Sequence, residues 1–169
     1  MPKSDDRQLR DHLLRLLDGR EAHASLEDVL RDVPPRIRGK KPDGAPHTPW
    51  QLLEHMRLAQ WDILEFSRSA AHVSPRFPEG YWPETAEPPE DGAWEKSVAS
   101  FRSDLEEMKA LVGRESADLH APIPHGSGQT LLREALLVAD HSAYHLGQIV
   151  LLRKMMAAWE GDTKIDGLG

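Results

Sequence analysis

The sequence predicts an all-α protein with the architecture of a four-helix bundle, and three observations support this prediction. Apolar residues recur at helical spacing along most of the chain. No segment shows the alternating pattern of a convincing strand, and helix start and stop signals mark off four helical regions. With 169 residues and no internal repeat, the chain is expected to form a single domain over residues 1–169.

The first helical region is predicted to begin near Ser4, a capping residue that is followed by acidic residues suited to a helix N-terminus. Gly19 is expected to bend or interrupt this region, and the helical pattern resumes over residues 23–33 before two prolines end it. The predicted apolar stripe consists of Leu9, Leu13 and Leu16.

The second helix carries the clearest start signal in the chain. Thr48 is predicted to be the N-cap, and Pro49 occupies the first helical position, where the missing N–H of proline costs nothing. Gln51 stands three residues after the cap and completes a capping box. This helix is expected to end near Ser69.

A Pro-rich segment (residues 75–89) follows the second helix, and its five prolines exclude a helix there. The third helix is predicted to run from near Asp91 to Gly113, and the fourth from a Thr130 cap to about Trp159. The connection between helices two and three is long enough to cross the length of a helix. This permits an up-down-down-up bundle with a long Pro-rich crossover between helices two and three.

The charge and the cysteine content of the chain argue against several classes of function. The net charge of -7 and the pI near 5.7 argue against non-specific nucleic-acid binding, and the single basic run (residues 36–41) is interpreted as a solvated loop. The absence of cysteine removes disulfides, thiolate metal sites and a cysteine nucleophile. No leader peptide pattern and no apolar run of membrane-spanning length is present, so we expect a cytoplasmic protein without membrane association.

The stretch DHSAYHLGQ (residues 140–148) raises the question of function, because it places two histidines in an otherwise apolar helix. His141 and His145 are four residues apart, so they lie on one helix face and can share a metal ion. Buried imidazoles need partners for both ring nitrogens. His55, the histidine of the second helix, also has apolar neighbours at helical spacing and is the best candidate for a third ligand.

Spacing alone leaves two interpretations of these histidines open. Three neutral imidazoles with coordination positions to spare are the ligand set of a catalytic zinc or nickel site. Alternatively, they are core histidines that form hydrogen bonds with nearby polar side chains, for which the candidates are Asp62, Asp140 and Gln148.

Two stretches of the chain resemble the DinB-like (DinB/YfiT-like) superfamily, a group associated with bound metal: PWQLLEHMRLAQWDIL (residues 49–64) and GQTLLREALLVADHSAYHLGQIVLLRK (residues 128–154). The resemblance implies an up-down-down-up four-helix bundle, frequently a homodimer, with one divalent ion, zinc or nickel, in each chain. Carried over residue by residue, it implies His55, His141 and His145 as the metal ligands. Some members are transferases or isomerases that use a low-molecular-weight thiol such as mycothiol, bacillithiol or glutathione, and many have no known activity.

The expected function is therefore a metal-dependent S-transferase that joins a small thiol cosubstrate to a small electrophile. The first alternative is a metal-dependent hydrolase, in which Asp62 or Asp140 acts as general base or orients a ligand histidine, and Gln148 could hold a bound water. The second alternative is a non-catalytic, dimeric protein of stress adaptation that binds metal or a small ligand. Candidates for the pocket wall and mouth are Phe77, Tyr81, Trp82, His47 and His125.

Overall fold

The structure, a computed structural model, describes residues 3–159, and within this range it contains helices and loops but no strand. An isolated bridge between Pro122 and Thr130 is the one β-type pairing there. The predicted all-α class is confirmed. The helices are α1 (Lys3–Asp18), α2 (Leu26–Leu30), α3 (Pro35–Arg38), α4 (Pro49–Arg68), α5 (Ala93–Gly113) and α6 (Leu131–Met155), with a 3-10 turn at Glu79–Tyr81.

The four long helices bury two apolar clusters between them. Helix α4 packs against α5 and α6, and α1 packs against the same two helices. One cluster joins the first half of α4 to α2, to the first half of α5 and to the second half of α6; it includes Leu53, Phe101 and Ile149. The other joins α1 to the second halves of α4 and α5 and to the first half of α6; it includes Leu64, Met108 and Val138.

Helix α4 begins where the sequence predicts. The Gln51 backbone N–H donates to the Thr48 hydroxyl at 3.2 Å, and the Gln51 side-chain oxygen accepts from the Thr48 backbone N–H at 3.0 Å. Both halves of the capping box are therefore present, with Pro49 at the first helical position. Ser69 is the C-cap, so the predicted end is also confirmed.

The apolar stripe of α1 differs from the prediction. Leu13 and Leu17 are buried, whereas Leu16 is 44% exposed. Spacings of three and of four residues both keep side chains on one helix face, so Leu16 and Leu17 can each share a face with Leu13. The sequence pattern therefore does not decide whether Leu16 or Leu17 is buried. The structure places Leu17 in the core because its neighbours there, among them Leu64, lie on that side.

The region between α1 and α4 is more broken than its pattern predicts. Residues 23–33 contain only the short helix α2, which begins after a Ser25–Asp28 capping box. Pro35, expected to end a helix, instead begins α3, because proline is tolerated in the first turn. Helix α3 includes part of the basic run, and Arg38 pairs there with Glu95 at 2.7 Å.

The remaining helices follow their predictions within a few residues. Helix α5 begins after Gly92, whose positive φ of 80° suits glycine, and α6 ends at Met155, ahead of the predicted Trp159. Between residues 3 and 159, every helix is too short or too polar to cross a membrane. The last ten residues, which the sequence marks as a polar, glycine-bearing tail, lie outside the described part of the chain.

Candidate metal centre

Three imidazoles meet between α4 and α6. His55 lies in the second turn of α4, and His141 and His145 lie one turn apart on α6. One ring nitrogen from each histidine lies within 4.8 Å of the others. The ring centroids are 4.9 Å apart for His55 and His141, 4.7 Å for His55 and His145, and 4.6 Å for His141 and His145.

The cluster lies against the apolar core. His145 is 7% exposed and His55 and His141 are partly buried, next to the cluster that contains Leu53 and Ile149. The Thr130 cap sets the start of α6, where the Thr130 side chain accepts from the Arg133 backbone N–H. Both helices that carry the histidines therefore begin at defined caps.

Hydrogen bonds outside the cluster orient two of the rings. His55 donates from Nδ1 to the Tyr81 backbone carbonyl at 2.8 Å, and His145 donates from Nδ1 to the Gln148 side-chain oxygen at 2.9 Å. A neutral imidazole that carries its proton on Nδ1 keeps a free electron pair on Nε2. Such outer acceptors are the usual means of fixing the tautomer of a metal-binding histidine.

The third ring contacts the first through its own Nε2. His141 Nε2 lies 3.1 Å from His55 Nε2. Because His55 carries its proton on Nδ1, its Nε2 accepts here and His141 donates. For His141 Nε2 to bind a divalent ion, the neutral ring would carry its proton on Nδ1 instead. Three neutral imidazole nitrogens are a donor set that fits zinc or nickel.

The surroundings keep the three imidazoles neutral. Burial, together with a smaller effect of the neighbouring His145 and His55, lowers the pKa of His141 from 6.5 to about 4. Burial also lowers the pKa of His55, against the opposing effect of its bond to Tyr81, and lowers the pKa of His145, against that of Gln148. Neutral histidine is the form that binds a metal ion.

Aromatic rings line the centre on two sides. Trp82 stacks on His55 with a centroid distance of 4.0 Å and an interplanar angle of 3°. His47 stacks on Trp82 at 4.1 Å, so the indole lies between two imidazoles. Tyr144 meets His145 edge-on at 4.9 Å.

The other residues that the sequence singled out form contacts outside the three-histidine cluster or are exposed. Asp62 accepts hydrogen bonds from the Tyr81 hydroxyl and from His72 Nε2, each at 2.7 Å. His125 is exposed and lies with Nε2 2.7 Å from the Phe66 carbonyl oxygen, away from the cluster. Phe77 is 81% exposed, and Asp140 is exposed on α6.

Three contacts of the site were not predicted from the sequence, although Tyr81, Trp82 and His47 were named there as candidates for the pocket wall and mouth. The Tyr81 carbonyl is a backbone acceptor, and such a group has no signature in the sequence. His72 contacts Asp62 only because residues 69–75 turn back toward α4, and this turn carries no motif of its own. The stacking of Trp82 between His47 and His55 joins three separate parts of the chain.

The arrangement offers three neutral nitrogen donors to one ion. A four-coordinate zinc site with three protein ligands has one position for water or substrate, as in catalytic sites. No curated protein and no solved structure matches the chain. A family model described as the DinB superfamily matches residues 19–149, which include all three histidines. The chain belongs to the DinB superfamily.

Proposed function

We propose that His55, His141 and His145 bind one divalent ion, zinc or nickel, and that the resulting centre transfers a small thiol to small electrophiles. One observation carries the proposal: three neutral imidazoles converge within 4.8 Å, and outer hydrogen bonds fix the tautomers of two of them. A closed structural site would require a fourth protein ligand. Among the described residues, the candidate cluster consists of three histidines.

The ion, when bound, supplies Lewis acidity that favours the deprotonated form of a thiol or water at neutral pH. The chain has no cysteine, so the thiol comes from a cosubstrate. In the transfer the thiol releases its proton to solvent, its sulfur forms a bond to the electrophilic carbon, and the leaving group departs with its electron pair.

Gln148 and Asp62, the two candidate catalytic residues, form hydrogen bonds with other side chains of the site. Gln148 holds His145 through its side-chain oxygen, and we infer that it fixes the tautomer of this ligand. Asp62 already accepts two hydrogen bonds through its two oxygens. A base role in a hydrolase would require substrate water to reach one of the remaining acceptor positions of this part-buried carboxylate.

The first experiment measures metal content by mass spectrometry on untagged protein. We expect about one zinc or nickel ion per chain, and none in a variant that combines His55→Ala with His141→Ala. A variant that combines His12→Ala with His23→Ala, which removes two exposed imidazoles, serves as the matched control. Absence of metal from the wild type, even after incubation with zinc and nickel, would refute the metal centre.

The reaction is tested on protein that binds metal. Mycothiol, bacillithiol and glutathione are each offered with an electrophile whose thioether product fluoresces, beside ester and amide substrates without thiol. Thiol-dependent turnover that the paired histidine substitutions abolish would support the transferase. Turnover of esters without thiol would favour the hydrolase, and metal binding without turnover would favour a binding protein.

We propose further that α1, α4, α5 and α6 form one up-down-down-up four-helix domain with the Pro-rich segment as its crossover. The residue numbers of the contacting pairs increase along both α4 and α5, as expected for parallel helices. The pairs are Glu54 with Ser97, Gln60 with Phe101, and Arg68 with Glu107. Helix α6 contributes its second half to the cluster that contains the first halves of α4 and α5, which supports the opposite direction for α6.

A homodimer is proposed through the outer face of α6. Four large apolar residues are exposed on this helix: Leu136, Tyr144, Leu151 and Met155. Exposed apolar residues at helical spacing form a stripe that a second copy can cover. A cytoplasmic location stays a prediction from the sequence.

A further inference from the structure

Asp62 connects α4 to residues 72–82, the chain that covers one side of the metal centre. Its carboxylate is 13% exposed, and each of its oxygens accepts one hydrogen bond. His72 Nε2 donates to Oδ1 and the Tyr81 hydroxyl donates to Oδ2, both at 2.7 Å. The two ends of this covering chain are therefore attached to one side chain of α4.

Tyr81 makes a second connection to α4 through its backbone. Its carbonyl oxygen accepts the 2.8 Å hydrogen bond from His55 Nδ1, while its hydroxyl is held by Asp62 two helical turns further along. The next residue, Trp82, lies flat against the His55 ring. Tyr81 thus contacts both the Asp62 carboxylate, through its hydroxyl, and the proposed metal ligand His55, through its carbonyl.

The turn that carries Tyr81 is compact. Gly80 N–H donates to the Arg76 carbonyl at 2.7 Å, and Tyr81 N–H donates to the Pro78 carbonyl at 3.2 Å. A β-carbon added to Gly80 would lie 2.7 Å from the Pro75 side chain, so the turn is closely packed. Its position on α4 is therefore set by the contacts of Tyr81 and Trp82.

We propose that Asp62 is a positioning residue of the metal centre, acting through Tyr81 to hold His55 with its proton on Nδ1 and its Nε2 directed at the ion. This inference rests on the proposed metal-binding function and assigns to Asp62 a role other than that of a base. Burial and the bond to Asp62 raise the pKa of Tyr81 to about 12, so the hydroxyl remains a donor at neutral pH.

Substitutions at position 62 separate positioning from proton transfer. Asp62→Ala removes both acceptors and keeps a good helix former in α4. Asp62→Asn cannot act as a base, but its amide oxygen can accept from His72 while its amide N–H donates to the Tyr81 oxygen. Tyr81→Phe removes only the hydroxyl and leaves the carbonyl in place. Glu84→Ala, which removes an exposed carboxylate in the Pro-rich segment, is the control.

The first readout is the tautomer of His55 in metal-free protein, measured by ¹⁵N NMR of the imidazole nitrogens. We expect the Nδ1–H form in the wild type, in Asp62→Asn and in Glu84→Ala. In Asp62→Ala and Tyr81→Phe we expect a mixture with the Nε2–H form. A role confined to fold stability would not change this tautomer in a protein that remains folded.

The second readout is the dissociation constant for zinc, measured by competition with a chelator. Loss of an outer hydrogen-bond partner weakens metal binding by about tenfold or more, so we expect about a tenfold loss in Asp62→Ala and Tyr81→Phe. The double variant should lose little more than either single variant, because both changes break the same connection. Asp62→Asn should remain close to the wild type.

Two results would overturn the proposal. An unchanged His55 tautomer in both Asp62→Ala and Tyr81→Phe would show that the connection does not reach the ligand. An Asp62→Asn variant as impaired as the alanine variant would show that the charge, and not the position, matters. If the wild type binds no zinc, the proposed function fails, and the tautomer in metal-free protein still decides the role of Asp62.

Discussion

The buried, neutral state of His141 predicts that the metal-free protein loses stability in mild acid. The pKa of His141 is lowered from 6.5 to about 4 by burial and by the neighbouring imidazoles. The folded protein therefore binds fewer protons at this position than the unfolded chain does in the window between these values. Stability from this group is complete above the unfolded pKa and is lost as the pH falls through 6.5 toward 4.

The size of this loss follows from the two pKa values. With a His141 pKa of 6.5 in the unfolded chain and about 4 in the folded protein, the unfolding free energy falls by about 2 kcal/mol between about pH 8 and about pH 5. Because the His141 ring keeps some contact with solvent, screening reduces this figure, and we expect about 1–2 kcal/mol.

Equilibrium urea unfolding at the two pH values, with a chelator present, measures this loss. Over the same pH interval, the unfolding free energy of His141→Gln should fall by about 1–2 kcal/mol less than that of the wild type. His12→Gln removes an exposed imidazole of α1 and should behave like the wild type. Equal losses in the wild type and in His141→Gln would refute the reasoning, because the fold would then not be holding His141 neutral.

Three further predictions concern the helices that carry the centre. Thr48→Ala removes the acceptor for the Gln51 N–H and the donor to the Ala86 carbonyl, and should cost about 1–2 kcal/mol in urea unfolding, whereas Thr48→Ser should cost less. Leu53→Ala, at a fully buried position, should cost about 2–5 kcal/mol in the same assay; a loss below about 1 kcal/mol would contradict its place in the core. Leu151→Glu should shift a dimer to monomers in analytical ultracentrifugation, whereas Val73→Glu, which is exposed elsewhere, should not; a dimer unchanged by Leu151→Glu would contradict the α6 interface.

Local signals explain why the start of α4 could be predicted from the sequence. A capping box depends on residues three positions apart, so Thr48 and Gln51 reveal it without knowledge of the fold. The spacing of His141 and His145 likewise fixes their common face. His55, on another helix, is indicated as their partner by its apolar neighbours at helical spacing and by the resemblance to a family.

Contacts between distant segments explain what the sequence did not reveal. Leu16 and Leu17 are equally apolar, and only the position of the neighbouring helices decides which is buried. The Tyr81 carbonyl and the Asp62–Tyr81 bond depend on the path of a connection whose only regular element among the described residues is a short 3-10 turn. Such paths are set by tertiary packing, which no local pattern specifies.

The flat stack of Trp82 on His55 gives the protein an optical reporter at its own centre. The two rings are nearly parallel at 4.0 Å, so a change in the charge of the imidazole acts directly on the indole π system. Zinc has no visible absorption of its own, and we expect that its binding at the proposed site would change tryptophan emission without a label. The difference spectrum between the wild type and Trp82→Phe isolates this signal from the other tryptophans among the five in the chain.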